Sequence, residues 1–195
     1  VEELATCTSF IICVPTPLSE NGGADTSRIE GAIATIAPYV RRGSLVVLES
    51  TSYPGTTEEV VAGPLAAVTG LQAGLDFCVG FSPERIDPGN SAFDLANTPK
   101  IVSGLHSCCV ERIQVIYQNV CSNVITAKGI RDAEFAKLLE NTYRQVNIAL
   151  VNEMVKFTGD LGVDLREAIR LASTKPFGFH AFYPGPGVGG HCIPI

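Results

Sequence analysis

The sequence predicts an α/β fold, and three observations predict it. Short apolar runs, each too short for a helix, recur over the first two-thirds of the chain. Segments with apolar residues at helical spacing separate them, and Gly, Pro and polar residues mark the junctions. Such alternation implies a parallel sheet covered on both faces, with ligands bound outside the carboxyl ends of its strands.

The first run, residues 9–14 (SFIICV), ends at Pro15 and reads as a buried strand. Residues 26–41 place Ile29, Ile33, Ile36 and Val40 on one helical face behind a cap candidate at Asp25 or Thr26. Gly43 ends that segment, and LVVL (45–48) is a second buried strand. A helix over 56–68 carries Glu58 and Glu59 in its first turn, where the helix dipole favours acids. Residues 77–81 and 100–103 read as further strands, 107–119 as a helix and 123–126 as a fifth strand. The pattern then changes. One helix, 131–161, is predicted to run roughly 45 Å at 1.5 Å per residue. A shorter one covers 164–173, and 174–195 reads as loop.

Composition narrows the function. The chain has 195 residues, 46% of them hydrophobic, and a net charge of −6. That is enough for one domain and a fraction of another. No Lys/Arg cluster marks a nucleic-acid surface, and no apolar run approaches the ~20 residues of a membrane helix. The start, VEEL, lacks the positive region of a signal peptide. Seven cysteines without a CxxC pair read as reduced thiols of a cytoplasmic protein, most of them small core hydrophobes, and no metal site is expected.

Three segments can carry chemistry. The Gly/Pro-rich end, PGPGVGGHCIPI (184–195), lets backbone N–H groups approach a ligand and sets Cys192 beside it. His191 is its neighbour, but sequence neighbours often point apart. On the long helix Lys137, Asn141 and Arg144 share one face at spacings of four and three, a stripe suited to an oxyanion or phosphate. The other reading is a solvated face. Phe135, Leu138, Leu139, Val146, Ile148, Leu150 and Val151 surround the stripe and argue that it is buried. Third, the strand ends carry EST (49–51) and SPER (82–85). There Thr51 can bond a cofactor or water and Glu84 can orient a water, or both can be ordinary loop residues.

Together FIICVPTPL (10–18), VVLESTSYPGTTEEV (46–60), GFSPERIDPGN (80–90), NTPKIVSG (97–104), AEFAKLLENTYRQVNIALVNEM (133–154) and FYPGPGVGGHCIPI (182–195) resemble the UDP-glucose/GDP-mannose dehydrogenase family. Within it they look most like the branch that oxidises UDP-N-acetylhexosamines, UDP-N-acetylglucosamine above all. The resemblance implies a partial Rossmann-type parallel sheet without its first strands (1–128). A long central helix and the start of an all-α middle domain follow, ending at the catalytic Cys loop (129–195). The family's GxGxxG turn, the Asp after its CIPI run and its C-terminal UDP-binding domain are absent. It further implies an NAD-dependent four-electron oxidation of a C6 alcohol to a carboxylate through a Cys192 thiohemiacetal and thioester.

In that scheme Lys137 and Asn141 hold the reacting oxygen, and Glu84 and Thr51 handle water. Thr16 and Thr51 line NAD. Arg85, Ile86, Arg144 and Gly189, with Glu84, Lys137 and Asn141, contact the UDP-sugar. Pro88 stands where UDP-glucose oxidisers carry a second acid, and Pro176 and Gly178 stand where N-acetylmannosamine oxidisers carry His and Arg. Both departures favour UDP-N-acetylglucosamine. A homodimer through helix 131–161 is implied, and little activity is expected of the chain alone. Two alternatives remain: a β-hydroxyacid-type dehydrogenase making one hydride transfer, and an inactive chain that only self-associates.

Overall fold

The structure is a computed structural model; it describes residues 2–87 and 89–187. The described chain divides into two compact units, one up to Leu138 and the other from Leu139. The first unit is a five-stranded sheet in the order β1 (Ser9–Ile12), β2 (Leu45–Leu48), β3 (Cys78–Phe81), β4 (Lys100–Gly104), β5 (Val124–Thr126). Around it lie α1 (Ser27–Ile36), α2 (Gly63–Thr69) and α3 (Ser107–Gln118). α4 (Ile130–Asp160) starts in the first unit and continues into the second, which also holds α5 (Leu165–Ala172).

Side-chain alternation explains the layering, because successive residues of a strand face opposite sides. Val46, Leu48, Val79 and Phe81 pack with Ile29, Ile33, Val61 and Leu65 on one face. Leu45, Val47 and Cys78 pack with Cys109, Ile113 and Tyr117 of α3 on the other. β2 and β3 are buried along their whole length, as strands covered on both faces must be.

Three expectations change. β1 is buried only at Phe10 and Ile12, while Ile11 is 44% exposed, because this edge strand is covered on one face. β4 runs antiparallel to β3, pairing Gly80 with Gly104 and Phe81 with Ser103, although β1–β2, β2–β3 and β4–β5 are parallel. Among the described residues the 82–99 connection forms no crossover helix to return the chain to the start of the sheet. The expected 56–68 helix opens instead as a π-helical stretch, Thr57–Ala62. Pro64 cannot donate to the carbonyl four residues back and crowds it, which widens the turn ahead.

Two glycines are dictated by geometry. Gly70 closes α2 at φ 68°, a left-handed cap donating to the Ala66 carbonyl. At Gly80 a Cβ would lie 2.1 Å from the Ser103 carbonyl oxygen and 2.3 Å from Ile113 Cδ1. Only a bare backbone there lets α3 pack onto the sheet. Among the described residues no helix is long and apolar enough to cross a membrane.

Candidate functional site

The site is assembled where β1, β2 and β3 end. Ile12 pairs with Leu48 and Leu48 with Phe81, so the loops carrying Thr16, Thr51 and Glu84 leave the sheet side by side. This is the edge at which open α/β sheets bind ligands. Thr16 is buried and donates its hydroxyl to the Thr51 carbonyl at 2.7 Å, tying the first two loops together. Thr51 is buried as well. Next to it Ser52 is 2% exposed, and its hydroxyl has no hydrogen-bond partner among the described residues. Buried hydroxyls are nearly always satisfied, so an orphan at this edge fits a polar ligand laid against it.

Glu84 is half-exposed. Its Oε1 accepts the backbone N–H groups of Arg85 (2.7 Å) and Ile86 (2.6 Å), and Lys100 Nζ lies 3.3 Å from Oε2. Partial burial pushes the Glu84 carboxyl up, but the Ile86 N–H, the Lys100 ammonium and the Arg85 N–H outweigh it and hold the group below the usual carboxylate range. Arg85 reaches back to the Pro99 carbonyl at 2.8 Å, and Ile86 is 37% exposed.

A buried charge cluster supports this edge, and the sequence reading missed it. Lys100, 3% exposed, lies 3.1 Å from Glu49 Oε1 as well as beside Glu84, with its ammonium 5.0 Å from the centroid of the Tyr117 ring. Tyr117 donates its phenol proton to Glu49 Oε1, and Cys13 donates to Glu49 Oε2 at 3.5 Å. Burial and the Glu49 carboxylate push the Tyr117 phenol far up, so it remains a donor. The Cys13 thiol is pushed up to about 11, first by burial and then by the same carboxylate. Cys13 is therefore expected to alkylate about a hundredfold more slowly at neutral pH than an ordinary thiol, its rate climbing until roughly pH 11. Replacing Glu49 by Gln is expected to speed it, which iodoacetamide kinetics followed by peptide mass spectrometry would read. A rate equal to that of a free thiol would contradict the placement of Glu49.

The signal for this cluster was present in the sequence. Glu49 follows the all-apolar LVVL directly, and Lys100 precedes IVS directly. A charge abutting a buried strand seldom stands alone.

The start of α4 is anchored to the same unit. Glu134, fully buried, accepts from Gly55 N (2.6 Å), Thr57 N (2.9 Å) and Thr57 Oγ1 (2.7 Å), satisfying donors at the opening of the π-helical stretch. Burial raises its carboxyl against these three hydrogen bonds. Arg131 adds an ion pair to Glu58 at 2.6 Å.

Along α4, Lys137 is half-buried, Asn141 is 8% exposed and Arg144 is exposed. The expectation of a buried polar stripe thus fits Asn141, fits Lys137 in part and fails at Arg144. Its apolar flanks are the more open surface: Phe135, Leu139, Val146 and Leu150 are all more than half exposed. In the second unit, Gly185 N donates to Asn152 Oδ1 at 3.0 Å and Arg166 reaches the Pro184 carbonyl at 3.4 Å. These contacts fasten the start of the Gly/Pro-rich segment to α4 and α5. Gly189 and Cys192 lie outside the described residues.

Residues 1–121 match the NAD binding domain of the UDP-glucose/GDP-mannose dehydrogenase family, and residues 131–195 match its central domain. Thr16, Thr51 and the unpartnered Ser52 hydroxyl fit part of an NAD site at the strand ends. The chain is 41% identical over 196 residues to a UDP-N-acetyl-D-glucosamine 6-dehydrogenase of Salmonella typhi. It is 43% identical over 195 residues to a UDP-N-acetyl-D-mannosamine dehydrogenase of Pyrococcus horikoshii. Each alignment covers 100% of this chain and 46% of the relative, so the chain spans about half the length of the curated relatives it matches. A solved UDP-D-ManNAc dehydrogenase from Pyrococcus horikoshii superimposes with a TM-score of 0.92 at 41% identity, over 98% of this chain and 45% of that one. A UDP-glucose dehydrogenase from Pyrobaculum islandicum gives 0.84 at 28% identity, over 98% of this chain and 45% of that one. With both family domains matched in order over nearly its whole length, the chain belongs to the UDP-glucose/GDP-mannose dehydrogenase family.

Proposed function

We propose that this chain supplies the oxidising centre of a nucleotide-sugar 6-dehydrogenase that converts the C6 alcohol of a UDP-N-acetylhexosamine, UDP-N-acetylglucosamine foremost, to the uronic acid. One observation carries the reading: Glu84 is held as a carboxylate by Lys100 and two backbone N–H groups, at the strand edge that also bears Thr51 and the unpartnered Ser52 hydroxyl. Relatives named for N-acetylated sugars support that substrate class. Pro176 and Gly178, in place of the His and Arg of N-acetylmannosamine oxidisers, favour the gluco epimer.

Bound NAD supplies the hydride acceptor. On α4 Lys137 and Asn141 stand one turn apart, a cation and an amide that stabilise the oxygen of the C6 alcohol as it loses its proton. The Cys192 thiolate adds to the aldehyde carbon to give a thiohemiacetal, and the second oxidation leaves a thioester on the same sulfur. Water attacks that carbonyl, the C–S bond breaks, and the carboxylate departs with Cys192 restored as thiolate. Thr51 and Glu84 orient the water. A carboxyl held below its usual range accepts the water's hydrogen bond at neutral pH without being protonated itself. Arg85, Ile86, Arg144 and Gly189 contact the sugar nucleotide.

In a protein carrying this chain with a complete dinucleotide-binding half, UDP-N-acetylglucosamine is expected to yield two NADH per sugar oxidised. Cys192→Ser is expected to abolish uronate formation. One NADH per substrate, with an undiminished rate in Cys192→Ser, would establish a single-hydride β-hydroxyacid-type dehydrogenase instead. The chain by itself is expected to turn over little.

A homodimer through helix 131–161 is supported by a separate observation. In the second unit Leu139, Val146, Leu150 and Phe157 are each more than half exposed, at spacings of seven, four and seven that keep them on one side of α4. Sedimentation equilibrium is expected to show a concentration-dependent dimer that Leu150→Arg dissociates. A monomer at the highest concentration would refute it.

A further inference from the structure

At the opposite end of β3 from Glu84, three thiols converge. Cys78 opens β3, and Cys108 and Cys109 lie in the first turn of α3. Their sulfurs all lie within 4.8 Å of one another. Cys78 and Cys109 are buried and Cys108 is exposed, so the cluster has a closed floor and an open mouth. The Gly74 carbonyl oxygen faces the same point, 3.6 Å from Cys108 Sγ and 3.9 Å from Cys109 Sγ.

We propose that Cys78, Cys108 and Cys109 form a binding site for a thiophilic metal ion of the Zn(II) class, with the Gly74 carbonyl or a solvent oxygen completing a tetrahedron. Zinc–thiolate bonds of about 2.3 Å place tetrahedral sulfurs about 3.8 Å apart, so closing on an ion requires movements of no more than about 1 Å. Rigid elements deliver the ligands. Cys78 is held by the β2–β3 ladder, and its N–H donates to the Ser44 carbonyl at 2.8 Å. The Gln72–Phe77 turn that presents Gly74 is locked by Gly74 N to the Phe77 carbonyl (2.7 Å) and by Gln72 N to Asp76 Oδ2 (2.9 Å). Gly74 itself has φ 86°, and a Cβ there would lie 2.5 Å from the His106 ring, so this turn geometry depends on a glycine.

Three thiolates select soft ions over the magnesium and calcium that oxygen ligands prefer. On binding, each ligating thiol releases its proton and the sulfur pair becomes a metal bond, with no change of oxidation state. The spacing C-x29-CC hides the site from a motif search, because Cys78 reaches the pair only through the fold.

The test is a Cd(II) titration of the full chain in a Cys192→Ser background, so that the thiol of the Gly/Pro loop does not compete. One equivalent is expected to bind, with a thiolate-to-cadmium charge-transfer band of three thiolates. Zn(II) is expected to displace it and to shield Cys108 from iodoacetamide. Cys108→Ser alters an exposed position and leaves the fold intact; it is expected to weaken binding at least tenfold, while Cys7→Ser leaves it unchanged. Equal affinity in Cys108→Ser, or Cys108 alkylation unaffected by Zn(II), would overturn the proposal.

Discussion

Lys100→Met is expected to destabilise the protein by about 3–5 kcal/mol, measured as a shift in the urea midpoint at unchanged slope. The methionine fills most of the lysine's volume, so packing is nearly conserved and the loss is electrostatic. Lys100 is buried between two carboxylates, Glu49 and Glu84, and above the Tyr117 ring. Glu49 is the more enclosed of the two, and among the described residues the loss of the ammonium leaves it the Tyr117 and Cys13 hydrogen bonds. A buried charge stripped of its counter-ion is costly even when it remains hydrogen-bonded.

Glu84 responds separately. Its carboxyl titrates below the ordinary range in the folded protein, so its contribution is fully present above the unfolded value of about 4.3 and is lost as pH falls through the lowered one. Without Lys100 that value moves upward. Lys100→Arg keeps the charge and is expected to restore most of the stability. A Lys100→Met protein as stable as the parent would mean that the cluster does not hold together as an ion pair.

Glu134→Ala is expected to cost at least about 3 kcal/mol, because it strands three buried donors at about 1–3 kcal/mol each. The donors are Gly55 N, Thr57 N and Thr57 Oγ1, all at the opening of the π-helical stretch that Pro64 imposes. Water cannot readily replace the carboxylate, since Glu134 is completely enclosed. The loss should be local first, with the Gly55 and Thr57 amides exchanging hydrogen much faster while the β2 and β3 amides exchange as before. Glu134→Gln keeps one acceptor oxygen but turns an N–H toward an N–H, and should fall between the two. Unchanged exchange at Gly55 and Thr57 in Glu134→Ala would show that these groups find other partners.

These two residues show where a sequence can be read and where it cannot. LVVL, FCVGF and KIVS are short, apolar and bounded by turn residues, so period and length locate them as strands. Direction is a different matter: whether β4 runs with β3 or against it depends on the path of residues 82–99, which carry no periodic signal. That Thr51 and Glu84 sit beyond neighbouring strand ends was legible because a strand end is a place that the pattern itself marks. For Glu49 and Lys100 the sequence shows only that a charge abuts a buried strand; that they meet each other and Tyr117 was not legible, since 17 to 68 positions separate the three. Glu134 sits on a helix whose charged residues mostly face solvent, and only its 77- to 79-residue reach to Thr57 and Gly55 distinguishes it. The apolar flank of α4 gave the opposite error: hydrophobicity showed that the surface wants cover, and in the chain it stands open.

The reversed β4 strand has a consequence for how this edge can be charged. The carboxyl ends of parallel strands present carbonyls and, here, the acids that follow them. Had β4 run with its neighbour, its first residue would sit at the far rim, roughly 13 Å away at about 3.3 Å per residue. Inverting β4, with β5 alongside it, exchanges the strand's ends, so the lysine that opens β4 arrives among the acids that close β2 and follow β3. α3 then travels back along the sheet and brings Tyr117, near its end, beneath the same ammonium. The inversion thereby works as a polarity switch, placing a lysine side chain inside a rim that parallel topology alone would leave to its acids.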